Sequence, residues 1–175
     1  MELRVARVLF RMKRGMGTPD SFRTAFRDEQ QRIMELLNHC PDGQRGRAVL
    51  ILRLPGLEDS SRQWSVWMTM EHLRITNLGM AGIIDCLLRD EQPPGVVRTA
   101  EVKPATTAGP EVETQFADSC DALLRAAGEG NGLRTIKRHA HPWFGPLDAR
   151  GWLAMAAMHM GIHRKQIEAI RAGMG

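Results

Sequence analysis

The sequence predicts an all-α fold, a four-helix bundle with long crossover connections. Four segments repeat apolar residues at the three- and four-residue spacing of an amphipathic helix, and residues that cap or break helices bound each segment. Residues 41–59 and 90–109 carry little helical pattern and contain several prolines and glycines. These long connections indicate that at least one pair of consecutive helices is non-adjacent or parallel.

The first helix is predicted to begin at Thr18 and Pro19 and to end near residues 38–40. A threonine side chain can cap the first turn, and proline fits the first helical position because its missing N–H has no partner there. The predicted inward stripe is Phe22, Phe26, Ile33, Leu36 and Leu37, with Arg23, Arg27 and Glu29 outside.

The second helix is predicted to begin at Ser60 or Ser61 and to run to about Arg89. Ser60 and Gln63 have the spacing of a capping box. The segment RAVLILRL before this helix fits either a short strand or a buried extended piece, and its length does not decide between them. The predicted inward face is Met68, His72, Ile75, Gly79, Ile83 and Cys86.

The third helix is predicted from about Pro110 to Ala127, with a glycine, Gly128 or Gly130, ending it. Residues 131–147 are predicted to form a loop. The last helix begins at a good capping residue, Asp148, and ends at Gly173. Flanking the cap, Leu147 and Trp152 have the spacing of a hydrophobic staple.

Charge divides the chain into a basic extension, residues 1–17, and the helical bundle, residues 18–175. The extension holds five basic residues and one acidic residue, and this excess equals the net charge of +4 of the whole chain. Because the bundle itself is neutral, no basic stripe for nucleic acid is expected on it. Three interpretations of the extension remain: a helix packed on the domain or a partner, a membrane-surface or targeting segment, or sequence upstream of a true start at Met12 or Met16.

The cysteines and the hydropathy pattern limit the compartment. Cys40, Cys86 and Cys120 are far apart and odd in number, which argues against a disulfide framework and for reduced thiols in the cytoplasm. No stretch of eighteen uncharged apolar residues occurs, so no membrane span is expected.

Three histidines are the candidate metal ligands. His159 and His163 are four residues apart on the predicted inward face of the last helix, so their rings are neighbours. His72 is predicted to point inward from another helix. Neutral imidazole binds divalent metals well, and three protein ligands would leave coordination positions open, as in catalytic sites. From periodicity alone, core histidines bonded to backbone or carboxylates explain the pattern equally well.

Three longer segments also resemble a known family: WSVWMTMEHL at 64–73, HPWFGPLDARGW at 141–152 and HMGIHRKQI at 159–167. Over about residues 18–172 the chain resembles the DinB-like superfamily. These proteins are metal-associated four-helix bundles related to thiol-dependent S-transferases and the mycothiol-dependent maleylpyruvate isomerase. The family pattern has one histidine in the second helix and HxxxH in the last, which His72, His159 and His163 match.

The resemblance implies a divalent metal ion, zinc or nickel, and a homodimer. It also implies a small-molecule substrate and a low-molecular-weight thiol as cosubstrate. His141 is a candidate catalytic group or labile ligand, although bracing of the loop before the last helix is the simpler interpretation. His39 and His139 are expected to face solvent. Trp64 and Trp67 either line the pocket mouth or pack, and Gln166 or Glu168 is expected to support the ligands.

Three functions remain open from the sequence. The first is a metal-dependent enzyme that transfers a thiol to a small electrophile or hydrolyses it. The second is a non-enzymatic metal-binding or dimeric, stress-related interaction module. The third is a bundle whose histidines serve only the fold. No nucleotide-binding loop, nucleophile elbow or pair of catalytic carboxylates is present in the sequence.

Overall fold

The structure is a computed structural model that describes residues 2–96, 98–130 and 132–174, with side chains from residue 6 onward. The side chains of Glu2 and Arg4, which contribute to the charge of the extension, therefore lie outside this description. The helices are α1 (Glu2–Met16), α2 (Pro19–Asn38), α3 (Val66–Leu88), α4 (Glu111–Ala127) and α5 (Ala149–Ala172). A small antiparallel hairpin joins β1 (His139–His141) to β2 (Gly145–Leu147).

Helices α2 to α5 form the predicted all-α bundle. Around the bundle, α2 packs on α5, α5 on α3 and α3 on α4, and a smaller contact between α4 and α2 closes the ring. The steps from α2 to α3 and from α4 to α5 therefore cross the bundle, which confirms the predicted non-adjacent connection. The predicted crossover 90–109, by contrast, joins the neighbouring helices α3 and α4. Across the described ranges, no helix is long and apolar enough to cross a membrane.

Helix α2 begins and ends where the sequence predicts. The Thr18 hydroxyl accepts from the Ser21 backbone N–H at 3.1 Å. The Ser21 hydroxyl in turn accepts from the Thr18 backbone N–H at 2.9 Å, which completes a capping box. The prediction that Arg23 lies outside is wrong, since its side chain is buried. Its guanidinium donates to the carbonyl oxygens of Ala127 and Gly130 at 3.2 and 2.8 Å, and so satisfies carbonyls at the C-terminal end of α4.

Helix α3 begins later than predicted, at Val66, with Ser65 as its cap. The prediction of a start at Ser60 or Ser61 is wrong because Asp59–Ser61 form only a short 3-10 helix, and residues 62 and 63 form a turn. Backbone N–H groups of Val49 and Ile51 donate to the carbonyls of residues 64 and 62, which holds that segment out of the helix. The preceding segment 47–54 forms no strand, and of the predicted buried piece only Ile51 is buried, since Leu50 and Leu52 are exposed.

The inward face of α3 also differs from the prediction. Met68 and His72 are buried, but Gly79 is exposed. The residues of α3 that enter the hydrophobic core are Val66, Met70, Leu73, Met80, Ala81, Ile84 and Leu87, and Asn77 is buried among them. His72 therefore lies at the edge of the buried face, where a side chain can be enclosed without belonging to the apolar centre.

Helices α4 and α5 agree with the predictions. Gly128 ends α4, with a φ of 57°. The Asp148 carboxylate caps α5 by accepting from the Gly151 N–H at 2.8 Å, and the predicted staple residues Leu147 and Trp152 are both buried in the core. The predicted loop 131–147 instead contains the hairpin β1–β2.

The basic extension is a helix that contacts the domain, the first of its three interpretations. The ring of Phe10 is buried and lies 4.6 Å from that of Phe144 in the hairpin. Arg7 donates to the Trp143 carbonyl at 2.5 Å. From the bundle, Arg150 donates to the Arg14 carbonyl at 2.8 Å.

Candidate metal centre

Helices α3 and α5 bring the three predicted histidines together. The Nε2 atom of His159 lies 3.2 Å from Nε2 of His72 and 3.1 Å from Nε2 of His163. One ligand nitrogen from each of the three rings lies within 4.8 Å of the others. His72 comes from α3 and the other two come from successive turns of α5, so the cluster spans the contact between these helices.

The spacing of these nitrogens fits a single metal ion. With metal–nitrogen bonds of about 2.0 to 2.1 Å, neighbouring ligand atoms are about 3.3 to 3.4 Å apart in a tetrahedral site and about 2.9 Å apart at right angles. The separations of 3.1 and 3.2 Å fall between these values. With no further ligand group in this cluster among the described residues, an ion held by these three donors would keep open coordination positions.

Hydrogen bonds behind two of the rings fix their orientation. Nδ1 of His72 donates to the Val102 carbonyl at 2.6 Å. Nδ1 of His163 donates to Oε1 of Gln166 at 2.6 Å, and the same amide donates to the Ser61 carbonyl at 2.7 Å. A proton on Nδ1 leaves the lone pair on Nε2, which faces the cluster. This is the arrangement found behind metal-binding histidines.

Burial keeps the three rings uncharged. It lowers the pKa of His72, and it lowers the pKa of His163 to about 3, with the nearby His72 contributing. The pKa of His159 lies well below 6.5, through burial first and then through its histidine neighbours. Neutral imidazole is the form that binds a metal ion, so the cluster is ready for one at neutral pH.

A buried polar atom without a partner remains in the cluster. Nδ1 of His159 is buried and accepts or donates no hydrogen bond, unlike Nδ1 of the other two rings. Nε2 of His159 lies between the Nε2 atoms of His72 and His163. Those two atoms carry lone pairs, because both rings hold their protons on Nδ1. A single Nε2–H of His159 could donate to only one of them, so hydrogen bonds alone cannot satisfy the whole cluster. A shared cation would satisfy all three Nε2 lone pairs together.

Comparison with known proteins agrees with this architecture. The model of the DinB superfamily matches residues 25–167, which is most of the chain. The chain belongs to the DinB superfamily. A crystal structure of TT2238, described as a four-helix bundle protein, is 21% identical and aligns with a TM-score of 0.63, covering 87% of this chain and 99% of that one. This likeness shows the fold. No curated protein matches the chain at a significant level.

Trp64 encloses the histidine cluster of this DinB-superfamily chain from one side. Its ring centroid lies 5.1 Å from that of His72, and it stacks on His163 at 6.3 Å with an interplanar angle of 14°. Of the two tryptophans expected near the pocket, only Trp64 contacts the cluster. The Trp67 indole instead donates to Glu113 at 2.7 Å, on the α4 side.

His141 stands beside the cluster and is not one of its members. Its Nδ1 accepts from the Trp143 N–H at 3.1 Å, and its ring lies 5.1 Å from Phe144 and 5.4 Å from Trp152. These contacts favour the loop-bracing interpretation. It is nevertheless close enough to contribute to the lowered pKa of His159, and burial lowers its own pKa to about 4.

Both remaining histidines were predicted to face solvent, and only one of them does. His39 is exposed, as expected. His139 was wrongly expected at the surface. It is buried, with its ring 6.0 Å from that of Trp152, because the hairpin turns its first residue toward the bundle.

The supporting groups were only partly predictable. Of the two residues expected to support the ligands, Gln166 accepts the hydrogen bond from His163. Glu168 pairs instead with Arg164 at 2.6 Å. The carbonyls of Ser61 and Val102 left no signal, because a backbone carbonyl at the end of a short 3-10 helix carries no residue pattern.

Proposed function

We propose that this DinB-superfamily protein binds a divalent metal ion, zinc or nickel, through His72, His159 and His163. The convergence of three neutral Nε2 atoms, each with the spacing of metal ligands, carries this proposal. The hydrogen bonds that His72 donates to Val102 and His163 donates to Gln166 support it, since they aim the Nε2 lone pairs inward.

We further propose an enzymatic role: either the transfer of a low-molecular-weight thiol to a small electrophile, or the hydrolysis of that electrophile. A bound divalent ion with open positions would lower the pKa of a thiol or water held there. The protein supplies three uncharged ligands, so the charge of the ion would not be cancelled. Trp64 excludes solvent from one side of His72 and His163.

The three free cysteines fit a reducing compartment, and the proposal therefore includes a cytoplasmic location. It also includes the homodimer implied by the resemblance.

Metal content tests the site directly. Untagged wild-type protein and His159→Ala would be purified in parallel, dialysed and compared by elemental analysis. We expect close to one zinc or nickel ion per wild-type chain and a loss of most of it in the variant. His39→Ala is the matched control, because His39 is an exposed histidine that is not part of the cluster. Equal metal content in wild type and His159→Ala would exclude the proposed site.

Turnover separates the enzyme from a metal-binding module. The metal-loaded protein would be assayed with a panel of thiols and electrophiles and with a panel of hydrolysable esters and amides, before and after chelation. We expect activity that chelation abolishes and that zinc or nickel restores. A metal-loaded protein that binds no thiol and turns over neither panel would leave metal binding intact and contradict the enzymatic role.

A further inference from the structure

The outward face of α1 is apolar, which is unusual for a helix on a protein surface. Val8, Leu9, Met12 and Met16 are 55%, 60%, 55% and 78% exposed. Residues 8, 12 and 16 are spaced by four and share one side of the helix, with Leu9 beside them. We call these four residues the α1 apolar face. Polar residues normally occupy this position, while the apolar stripe turns toward the core.

Contacts on the opposite side fix how α1 is turned. Phe10 packs against Phe144, and Arg7 donates to the carbonyl of Trp143. Arg150 holds the end of the helix through the Arg14 carbonyl. Since these contacts occupy the inner side, the α1 apolar face cannot be buried against the bundle without breaking them.

From residue 6 onward, every charged side chain of α1 is basic. Residues 1–17 contain five basic residues and a single acidic one, and the rest of the chain is neutral. Arg11 and Lys13 are both exposed. At 100° per residue they project on either side of the α1 apolar face. The surface therefore combines an apolar centre with cationic borders.

We propose that α1 docks on an anionic lipid surface. A helix with an exposed apolar side and basic residues at its borders lies in the plane of a membrane, where the apolar residues enter the acyl boundary and the cations meet lipid phosphates. Long basic side chains can keep their charge at the phosphates while their stems stay in the apolar layer. This proposal does not depend on the metal centre.

A second copy of the chain fits this face less well. A two-fold interface would place the same patch on both partners, so Arg11 and Lys13 of one copy would approach those of the other. The extension offers only one acidic residue to offset five basic ones. Anionic lipid, by contrast, supplies the missing negative charge along the whole length of the helix.

Vesicle co-sedimentation of the full-length chain tests the proposal. Vesicles of pure phosphatidylcholine would be compared with vesicles containing one third phosphatidylglycerol at low and high salt. We expect binding to the anionic vesicles alone, weakened by salt because exposed charges are screened. We expect Met12→Glu to lower the partition coefficient by about tenfold, since it removes apolar burial and opposes the lipid charge.

Two further variants make the result specific. Ile136→Glu adds the same charge at a residue that is 96% exposed and lies outside α1, so it should bind like wild type. Met12→Gln removes the apolar group without adding charge and should show an intermediate loss. Circular dichroism would confirm that each variant is folded.

Two results would overturn the proposal. One is the absence of binding to anionic vesicles at low salt. The other is a dimer, measured by light scattering, that Met12→Glu converts to a monomer while no vesicles are bound. That outcome would assign the α1 apolar face to a second copy.

Discussion

At the scale of single residues, the buried histidines make the stability of the protein depend on pH. Burial lowers the pKa of His141 to about 4 from an ordinary value of 6.5. Between these two values the unfolded chain binds a proton at this residue and the folded chain does not. The contribution of neutral His141 to the free energy of unfolding is therefore complete above pH 6.5. It is lost as the pH falls toward 4, by at most about 1.4 kcal/mol per pH unit.

We therefore expect His141→Gln to weaken the pH dependence of folding. In metal-free protein, the free energy of unfolding from urea titrations should fall less between pH 6.5 and 5 in the variant, by up to about 2 kcal/mol. His39→Gln is the control for replacing a histidine, since this ring is exposed and lies outside the core. Parallel profiles for wild type and His141→Gln would show that His141 titrates alike in the folded and unfolded chains.

At the scale of elements, α5 depends on the residue that caps its start, Asp148. The helix carries two of the three clustered histidines, and the Asp148 carboxylate satisfies the Gly151 N–H at its start. We expect Asp148→Ala to lower the free energy of unfolding by about 1 kcal/mol, measured with denaturant, because that N–H loses its acceptor. Asp148→Asn retains a side-chain oxygen and should lose less.

The matched control for this cap is Asp118→Ala. Asp118 is exposed within α4 and makes no capping contact. Its replacement should be neutral or slightly stabilising, since alanine favours the helix interior. Equal losses at residues 118 and 148 would contradict a role for the cap.

Element boundaries could be predicted from the sequence where the deciding contacts are local. The caps at Thr18 and Asp148 act over three residues, so the sequence contains all their partners. The start of α3 was missed because three serines could cap it. Ser65 is the cap, since the carbonyls of residues 62 and 64 accept hydrogen bonds from the distant residues 51 and 49. The hairpin was missed because strands of three residues give too short a pattern.

At the scale of the whole molecule, the site could be predicted only as far as one helix. The spacing of His159 and His163 places both rings on one side of α5. The partnership of α5 with α3, which adds His72, follows from the order of helices around the bundle. Periodicity placed His72 on an inward face but does not encode that order, so the family resemblance was needed to join it to the pair on α5. The Val102 carbonyl behind it depends on the path of a connection without pattern.

Because the cluster joins α3 to α5, a metal bound there should stabilise the bundle as a unit. A ligand present at 100 times its dissociation constant, and bound to the folded state alone, contributes about 2.7 kcal/mol. In a chain of this size, that corresponds to a rise in melting temperature of roughly 5 to 10 °C. We expect zinc or nickel to produce such a rise in chelator-stripped wild-type protein, measured by calorimetry.

The His72→Ala variant separates bridging from simple binding. It leaves His159 and His163 on α5, where two ligands one turn apart can still hold an ion but no longer connect it to α3. The metal-induced rise in melting temperature should therefore shrink to a small fraction of the wild-type value, while His39→Ala, with its cluster intact, should show the full rise. An undiminished rise in His72→Ala would mean that the stabilising ion binds elsewhere, because a ligand set confined to one helix cannot tie two helices together.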